Sequence, residues 1–206
     1  MNRFINTATQ YVLIKDISDI VDFDALNQEF DTLDFINNLK NTISDNKKFF
    51  DRKTLKATKD PLAKECQNFL TTAYGVREFE ELNITNSWAN ITKPGESHHA
   101  HTHPFSIVSG VIYLDDNPSN LDLNLEVFIP ETPHFLIRGR SYSPLHKWVN
   151  RTETNNLKNH LVLFLSTTKH FVSENKENID RRSISFNTYW SGHVGGNDPL
   201  SGMYVS

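Results

Sequence analysis

The chain has 206 residues, a net charge of −4 and 37% hydrophobic residues, a size and composition typical of one globular domain. Its 21 basic and 25 acidic residues leave no basic footprint, which excludes nucleic acid as the primary partner. The single cysteine excludes an internal disulfide and a cysteine-based zinc site. The chain shows no signal peptide and no membrane-spanning apolar run, so we expect a cytoplasmic protein without a membrane partner.

Residues 1–80 are expected to form a strand and a helical support for the rest of the chain. The stretch "QYVLIKDI" predicts a short strand. Apolar side chains recur at roughly helical spacing from Phe23 to Leu39, which predicts a first helix there. A second helix is predicted over "PLAKECQNFLTTAYGV", with Pro61 near its start. The polar segment between them, "SDNKKFFDRKTLKATKD", is interpreted as a loop.

Residues 83–190 alternate short apolar runs with turn signals. The predicted strands are "NSWANIT", "SIVSGVIYL", "LDLNLEVFI", "HFLI", "HLVLFL" and "RRSISFNTYW". Evenly spaced short strands without intervening helices favour a β-sandwich or jelly roll. The predicted fold class is mainly β with flanking helices. We expect one domain over 1–206, with its core over 83–190 and an irregular tail over 191–206.

Four of the nine histidines lie within "HHAHTH", immediately before an apolar run. Residues two apart on a strand share a face, so His101 and His103 would present two imidazoles to one metal ion. His99 shares that parity if the strand extends so far back, and its role stays open, whereas His98 is expected to point away. The alternative interpretation is a surface histidine cluster without a site.

Distant segments offer partners for such a site. In "HLVLFLSTTKHFV" an apolar strand and a short polar turn deliver His170, the best candidate for a third ligand. In "RRSISFN" the side chains of Arg181, Ser183 and Ser185 share one face, and an arginine fork beside a hydroxyl suits a carboxylate. Burying an arginine without an anion is costly, so an inward-facing Arg181 implies a bound acid. The alternative is that Arg181 and Arg182 begin the strand in solvent.

Two segments, "NSWANITKPGESHHAHTHPFSIVSGVIYLD" and "NHLVLFLSTTKHFVSENKENIDRRSISFN", closely resemble the iron(II)- and 2-oxoglutarate-dependent oxygenases. The resemblance is greatest to an oxygenase group of bacteria and their phages that carries H-x-H-P followed by S-G-V-x-Y-L. It extends more distantly to prolyl hydroxylases. It covers residues 86–114 and 159–190 and says little about residues 1–80. It implies a double-stranded β-helix, the cupin-like jelly roll, and a location in a bacterial or phage-infected host cell.

The resemblance also implies roles for individual residues. The iron(II) ligands implied are His101, His103 and His170. The residues implied to hold 2-oxoglutarate are Arg181 and Ser183, which match the R-x-S motif, Tyr113, which matches a tyrosine of prolyl hydroxylases, and Asn90. A variable stretch, "TPHFLIRGRSYSPLHKWVNRTETNN", is a candidate lid with four weaker substrate contacts: Arg138, Arg140, Tyr142 and Trp148.

One position departs from the pattern of the superfamily. Most members use H-x-D or H-x-E, so that iron meets two imidazoles and one carboxylate. His103 occupies the third position here and removes one negative charge. Because the H-T-H-P string belongs to the resembling group, His103 is interpreted as a ligand. The alternative is that His103 does not bind the metal and that water or an anion such as chloride occupies this ligand position. Glu96 is a weak candidate for a carboxylate that could bind there instead.

The implied activity is a dioxygenase that consumes dioxygen and 2-oxoglutarate and releases succinate and carbon dioxide. The expected partner is a protein side chain of the prolyl type or a small metabolite, and a homodimer is compatible with the sequence. An alternative is a cupin-like module that binds metal or a small acid without turnover. A zinc hydrolase built on the same histidines has suitable ligands, but it lacks an evident general base and leaves Arg181 without a role.

Overall fold

The computed structural model describes residues 3–6, 11–76, 81–118, 123–126, 148–150, 157–194 and 202–205. Strands predominate in these ranges, and two α-helices and two short 3-10 helices accompany them. The helices are α1 (Phe23–Phe30) and α2 (Lys56–Tyr74), and the 3-10 helices span Phe49–Asp51 and Lys53–Leu55. The strands are β1 (Arg3–Asn6), β2 (Tyr11–Asp16), β3 (Phe35–Asn38), β4 (Asn41–Ser44), β5 (Glu81–Thr92), β6 (His98–His101), β7 (Val108–Tyr113), β8 (Leu123–Glu126), β9 (Trp148–Asn150), β10 (His160–Leu165), β11 (His170–Val172), β12 (Arg181–Val194) and β13 (Met203–Val205).

The strands form two antiparallel sheets. The larger has the order β1-β2-β10-β7-β12-β5-β4-β3, with β13 added to the far part of β12, and the smaller has the order β6-β11-β8-β9. One face of the larger sheet packs on the helices and forms the main core, which includes Leu163, Ile184 and Phe186. A smaller cluster, including Val162 and Phe164, lies on the opposite face. The mainly β fold with flanking helices is therefore confirmed.

Capping residues and apolar spacing explain the position of the two α-helices. Asp22 caps α1 by accepting a hydrogen bond from the Ala25 amide at 3.0 Å. Helix α2 buries Leu62, Cys66, Phe69 and Leu70, a spacing that places all four side chains on one face. It ends at Gly75, whose φ of 68° is the left-handed conformation that glycine adopts without strain. Helix α2 starts five residues before Pro61, earlier than predicted.

The first predicted helix is too long. Helix α1 ends at Phe30, and the residues that follow form the β3–β4 hairpin, in which Asn38 pairs with Asn41. Leu39 in its turn has a φ of 60° and is 79% exposed, so it does not continue an apolar helical face. Phe35 does pack against the main core, which explains why the apolar spacing resembled a longer helix.

The segment interpreted as a polar loop carries part of the core. Its two 3-10 helices bury Phe49, Phe50 and Leu55 completely. The ring of Phe50 packs edge-on against Phe186 of β12, with 5.8 Å between centroids. Lysines and aspartates lie between these apolar residues, so the polar composition of the segment did not reveal that its apolar side chains are buried.

Strands β5 and β12 form the longest pairing of the larger sheet. The register shifts between Asn187, which faces Asn86, and Thr188, which faces Ile84. Thr85 is therefore an additional residue in β5, a β-bulge. The tail is also more regular than predicted, because β12 continues to Val194 and β13 pairs with it through Met203–Val205.

Among the described residues, no helix combines the length and the apolar composition needed to cross a bilayer.

Candidate functional site

A cavity opens between the two sheets, on the face of the larger sheet away from the helices. Strands β5, β7, β10 and β12 of the larger sheet and β6 and β11 of the smaller sheet all contribute to its lining. It contains about 560 Å³ of empty space, including the part that opens to solvent.

Three imidazoles converge in this cavity: those of His101, His103 and His170. Their ligand nitrogens all lie within 4.8 Å of one another, close enough to bind one metal ion. Their ring centroids are 4.3–5.1 Å apart. Pairing between β6 and β11 places His101 directly opposite His170, which brings together residues far apart in the chain.

Backbone carbonyls orient two of these rings. His101 Nδ1 lies 2.8 Å from the His99 carbonyl oxygen, and His170 Nδ1 lies 2.9 Å from that of Thr168. A carbonyl can only accept, so each Nδ1 carries the proton and each Nε2 keeps its lone pair. The third ring, of His103, has Asn187 Nδ2 at 3.4 Å from its Nδ1.

Burial keeps the cluster uncharged. Loss of solvent, followed by repulsion from His101, lowers the pKa of His103 to about 4. Burial likewise lowers the pKa of His101, and it lowers the pKa of His170 well below its ordinary value. A histidine binds a metal ion through its neutral imidazole. At neutral pH the three rings are therefore in the protonation state that metal binding requires.

The neighbouring histidines differ from the prediction. His98 lines the cavity, with its ring centroid 4.5 Å from that of His101, whereas His99 is exposed. The register between β6 and β11 shifts, because His98 rather than His99 pairs with Val172. The additional residue on β6 reverses the parity that a regular strand would have. His98, His99 and His101 also form a second group whose ligand atoms lie within 4.8 Å of one another.

The two consecutive arginines at the start of β12 lie in different places. Arg181 is 3% exposed and lines the cavity, and one of its guanidinium nitrogens lies 3.5 Å from the Ser173 carbonyl oxygen. Arg182 instead donates to Asp115, with Nε at 3.0 Å from one carboxylate oxygen and an Nη at 2.8 Å from the other. Ser183 and Ser185 line the cavity with Arg181, as strand alternation predicts.

Tyr113 and Asn90 also line the cavity, and both are buried. The Asn90 amide donates to Ser185 Oγ at 2.9 Å, and its oxygen accepts from Trp88 Nε1 at 3.1 Å. These contacts fix Asn90 between β12 and the indole. Trp88 was not predicted to be part of the site, although it shares the parity of Asn90 on β5 and its ring lies 5.8 Å from that of His103.

The described lining of the cavity does not include the remaining predicted residues. Arg138, Arg140 and Tyr142 lie outside the described residues, and Trp148 is known here only as the first residue of β9. Glu96 accepts a hydrogen bond from the Lys93 amide at 2.8 Å, in the turn before β6. Within the described part of the chain, no carboxylate lines the cavity beside the histidines.

Residues 86–187, about half of the chain, match the model of a family described as "Putative 2OG-Fe(II) oxygenase". Comparison with curated protein sequences gave no significant match.

Solved structures share the fold at low sequence identity. HygX from Streptomyces hygroscopicus, with nickel, 2-oxoglutarate and hygromycin B bound, matches with a TM-score of 0.58 and 11% identity over 87% of this chain and 83% of that one. An oxidoreductase of the 2OG-Fe(II) oxygenase family from Burkholderia pseudomallei gives a TM-score of 0.56, 12% identity and coverages of 86% and 83%. A prolyl-4-hydroxylase from Pseudomonas putida gives a TM-score of 0.52, 14% identity and coverages of 89% and 93%.

Proposed function

This chain belongs to the 2OG-Fe(II) oxygenase family, and we propose that it is a hydroxylase whose iron(II) is held by His101, His103 and His170. The family requires iron(II), 2-oxoglutarate and dioxygen. Together these reactants supply an oxidant that replaces a substrate C–H bond by C–OH, with release of succinate and carbon dioxide. The protein's own part is to bind, orient and shield them.

The observation that carries the proposal is the convergence of the three imidazoles in the same cavity as a buried guanidinium. Nitrogen ligands of this type suit divalent iron, and the orientation of His101 and His170 leaves Nε2 of each available. Arg181 supplies the fixed positive charge that a second carboxylate on the cosubstrate requires. The residues of the cavity therefore fit both the metal and 2-oxoglutarate.

Four residues are proposed to hold 2-oxoglutarate: Arg181, Ser183, Tyr113 and Asn90. The Arg181 fork would bind the carboxylate far from the metal, and hydroxyl and amide donors would satisfy the remaining lone pairs. Asn90 is pre-oriented by its contacts with Ser185 and Trp88, so it loses little side-chain entropy when a ligand binds.

A neutral triad changes the charge at the metal. Three imidazoles leave the full 2+ charge of iron(II), whereas a carboxylate ligand would cancel one unit. The cavity then favours a dianionic cosubstrate more strongly and leaves anions such as chloride a larger attraction. We propose His103 as a ligand in preference to a site left to water or chloride, because its ring already lies 4.8 Å from His101 and 5.1 Å from His170 between centroids.

The substrate is proposed to be a protein side chain of the prolyl type or a small metabolite. The two kinds of substrate correspond to structural relatives, one a prolyl-4-hydroxylase and one with hygromycin B bound. The described lining of the cavity offers neutral contacts, the Trp88 indole and the Asn41 amide among them, beyond the residues assigned to 2-oxoglutarate. Such a lining suits a neutral substrate better than a cationic one.

The test is formation of succinate from 2-oxoglutarate by protein loaded with iron(II) without oxygen and then exposed to air. We expect turnover in the wild type, loss of turnover in His170→Ala and a raised KM for 2-oxoglutarate in Arg181→Ala. Arg182→Ala is the matched control, because this neighbouring arginine pairs with Asp115 outside the cavity. The assay is run with a proline-containing peptide panel and with a metabolite panel, and the panel that raises succinate yield identifies the substrate class.

A protein that binds iron(II) but neither binds 2-oxoglutarate nor converts it with any panel would contradict the proposal. The alternative of a cupin-like module without turnover would then be correct. Binding is measured separately from turnover, by the change that 2-oxoglutarate causes in the absorption of the iron(II) protein.

A further inference from the structure

The orientation of His103 depends on a side chain, unlike that of the other two converging histidines. Its Nδ1 lies 3.4 Å from the amide of Asn187, which projects from β12 on the same side as Arg181. A ring that binds metal through Nε2 must carry its proton on Nδ1, and that proton needs an acceptor. The Asn187 amide is the group placed to provide one.

The amide has two possible orientations with opposite consequences. With Nδ2 toward His103, as placed, it donates to Nδ1, and the ring proton must lie on Nε2, where it blocks metal binding. Its Oδ1 then accepts from Ser109 Oγ at 2.9 Å. Amide oxygen and nitrogen have nearly the same shape, so a half-turn exchanges them in place. After the half-turn, Oδ1 accepts the Nδ1 proton and Nδ2 donates to Ser109.

A chain of buried serines makes the second orientation self-consistent. Ser109 Oγ lies 2.8 Å from Ser166 Oγ, which lies 2.7 Å from Ser106 Oγ. Ser106 Oγ is 3.1 Å from the Thr188 carbonyl oxygen, to which it donates. Hydroxyl hydrogens can rotate. Once Ser109 accepts a hydrogen bond from the amide, its hydroxyl can donate to Ser166, that of Ser166 to Ser106, and that of Ser106 to the Thr188 carbonyl oxygen. No donor along this chain is then left unmatched, an arrangement that buried polar groups require.

We propose that Asn187 is the positioning residue for His103: its amide oxygen accepts the Nδ1 proton and holds Nε2 toward the metal, and the serine chain accommodates the amide in that orientation. The inference rests on the proposed function, since it takes His103 as a ligand. It assigns a task to a residue that shares the face of Arg181, so one strand holds both the anchor for the cosubstrate and the support of a ligand.

The test compares Asn187→Leu, which removes the acceptor, with Asn187→Asp, which keeps an acceptor oxygen. Asn83→Leu is the matched control, because the Asn83 amide donates to Ser191 Oγ on the same pair of strands outside the cavity. Cobalt(II) serves as the probe, and its affinity is read from the absorption of the bound ion. We expect Asn187→Leu to weaken cobalt(II) binding about 10- to 100-fold, and the other two variants to stay within a few-fold of wild type.

A second readout reports the proton directly. Two-bond 1H–15N spectra of the zinc(II)-loaded protein distinguish the two imidazole tautomers, and we expect His103 in the wild type to carry its proton on Nδ1. The cobalt(II) titration also includes the variant His103→Ala. If it weakens cobalt(II) binding while Asn187→Leu does not, the role of Asn187 is overturned and the ligand set stands. If His103→Ala has no effect, the ligand set itself is wrong and the role of Asn187 falls with it.

Discussion

Gly110 in β7 allows a phenylalanine ring to lie directly over the backbone. The register pairs it with Phe186 of β12, and a Cβ at Gly110 would lie 2.5 Å from Cε1 of that ring, 2.8 Å from Cε2 and still nearer to Cζ. Phe186 is fully buried, and the Phe50 ring packs edge-on against it. We therefore predict that Gly110→Ala destabilises the fold, although it adds one methyl group.

The magnitude follows from these distances. Carbon atoms in contact lie about 3.5–4.0 Å apart, so the ring must withdraw by roughly 1 Å against neighbours that leave it little room. Overpacking of this kind costs about 1–3 kcal/mol, and we expect the upper end of that range. Phe186→Ala alone should cost about 3–5 kcal/mol. In the double variant the methyl group enters vacated space, so its cost should be close to that of Phe186→Ala alone.

The assay is urea unfolding of the metal-free wild type, both single variants and the double variant, compared by midpoint at constant slope. The expected coupling between the two positions is about 1–3 kcal/mol. A Gly110→Ala protein within about 0.5 kcal/mol of wild type, or two effects that simply add, would refute the reasoning, because the ring would then not cover Gly110.

Three further predictions concern the cavity. Metal-free protein should lose stability as pH falls from about 6.5 to about 4, because histidine in the unfolded chain binds protons near its ordinary pKa whereas burial holds the pKa of His103 at about 4. The loss in the free energy of unfolding approaches about 1.4 kcal/mol per pH unit for each such imidazole. Urea unfolding across this pH range should therefore show a shallower loss in His103→Gln than in the wild type. Arg181→Lys should bind 2-oxoglutarate more weakly than Arg182→Lys in equilibrium titrations, since only the first loses a fork inside the cavity, and equal affinities would count against this assignment. His99→Ala should retain cobalt(II) affinity whereas His170→Ala loses it, and the reverse order would indicate that the metal binds the group of His98, His99 and His101 instead.

Parts of the site that depend on strand alternation could be predicted from the sequence. Arg181, Ser183 and Ser185 share a face because β12 is regular there, so spacing alone placed them together. His101 and His103 both reach the cavity, although only His101 is within β6. The roles of these residues as ligands and cosubstrate contacts stay predictions.

Other features depend on contacts that local spacing does not encode. The parity of His98 and His99 was wrong because β6 gains a residue relative to β11, which is a property of the pair of strands. The first helix was extended too far because Phe35 is apolar at helical spacing yet packs from a hairpin. The Asn187 amide meets His103 and Ser109 from distant segments, and its parity with Arg181 was the available signal.

The bulge at Thr85 divides β5 into two frames of side-chain alternation. Before it, even-numbered Leu82 and Ile84 face the apolar core, and after it, even-numbered Trp88 and Asn90 face the cavity. A strand of strict period two could not give both sets their environments, because a one-residue slip exchanges every side chain between faces. A single inserted residue thus shifts the numbering of the two faces, so that one continuous strand keeps Leu82, Ile84 and Ala89 toward the apolar core while Trp88 and Asn90 face the cavity.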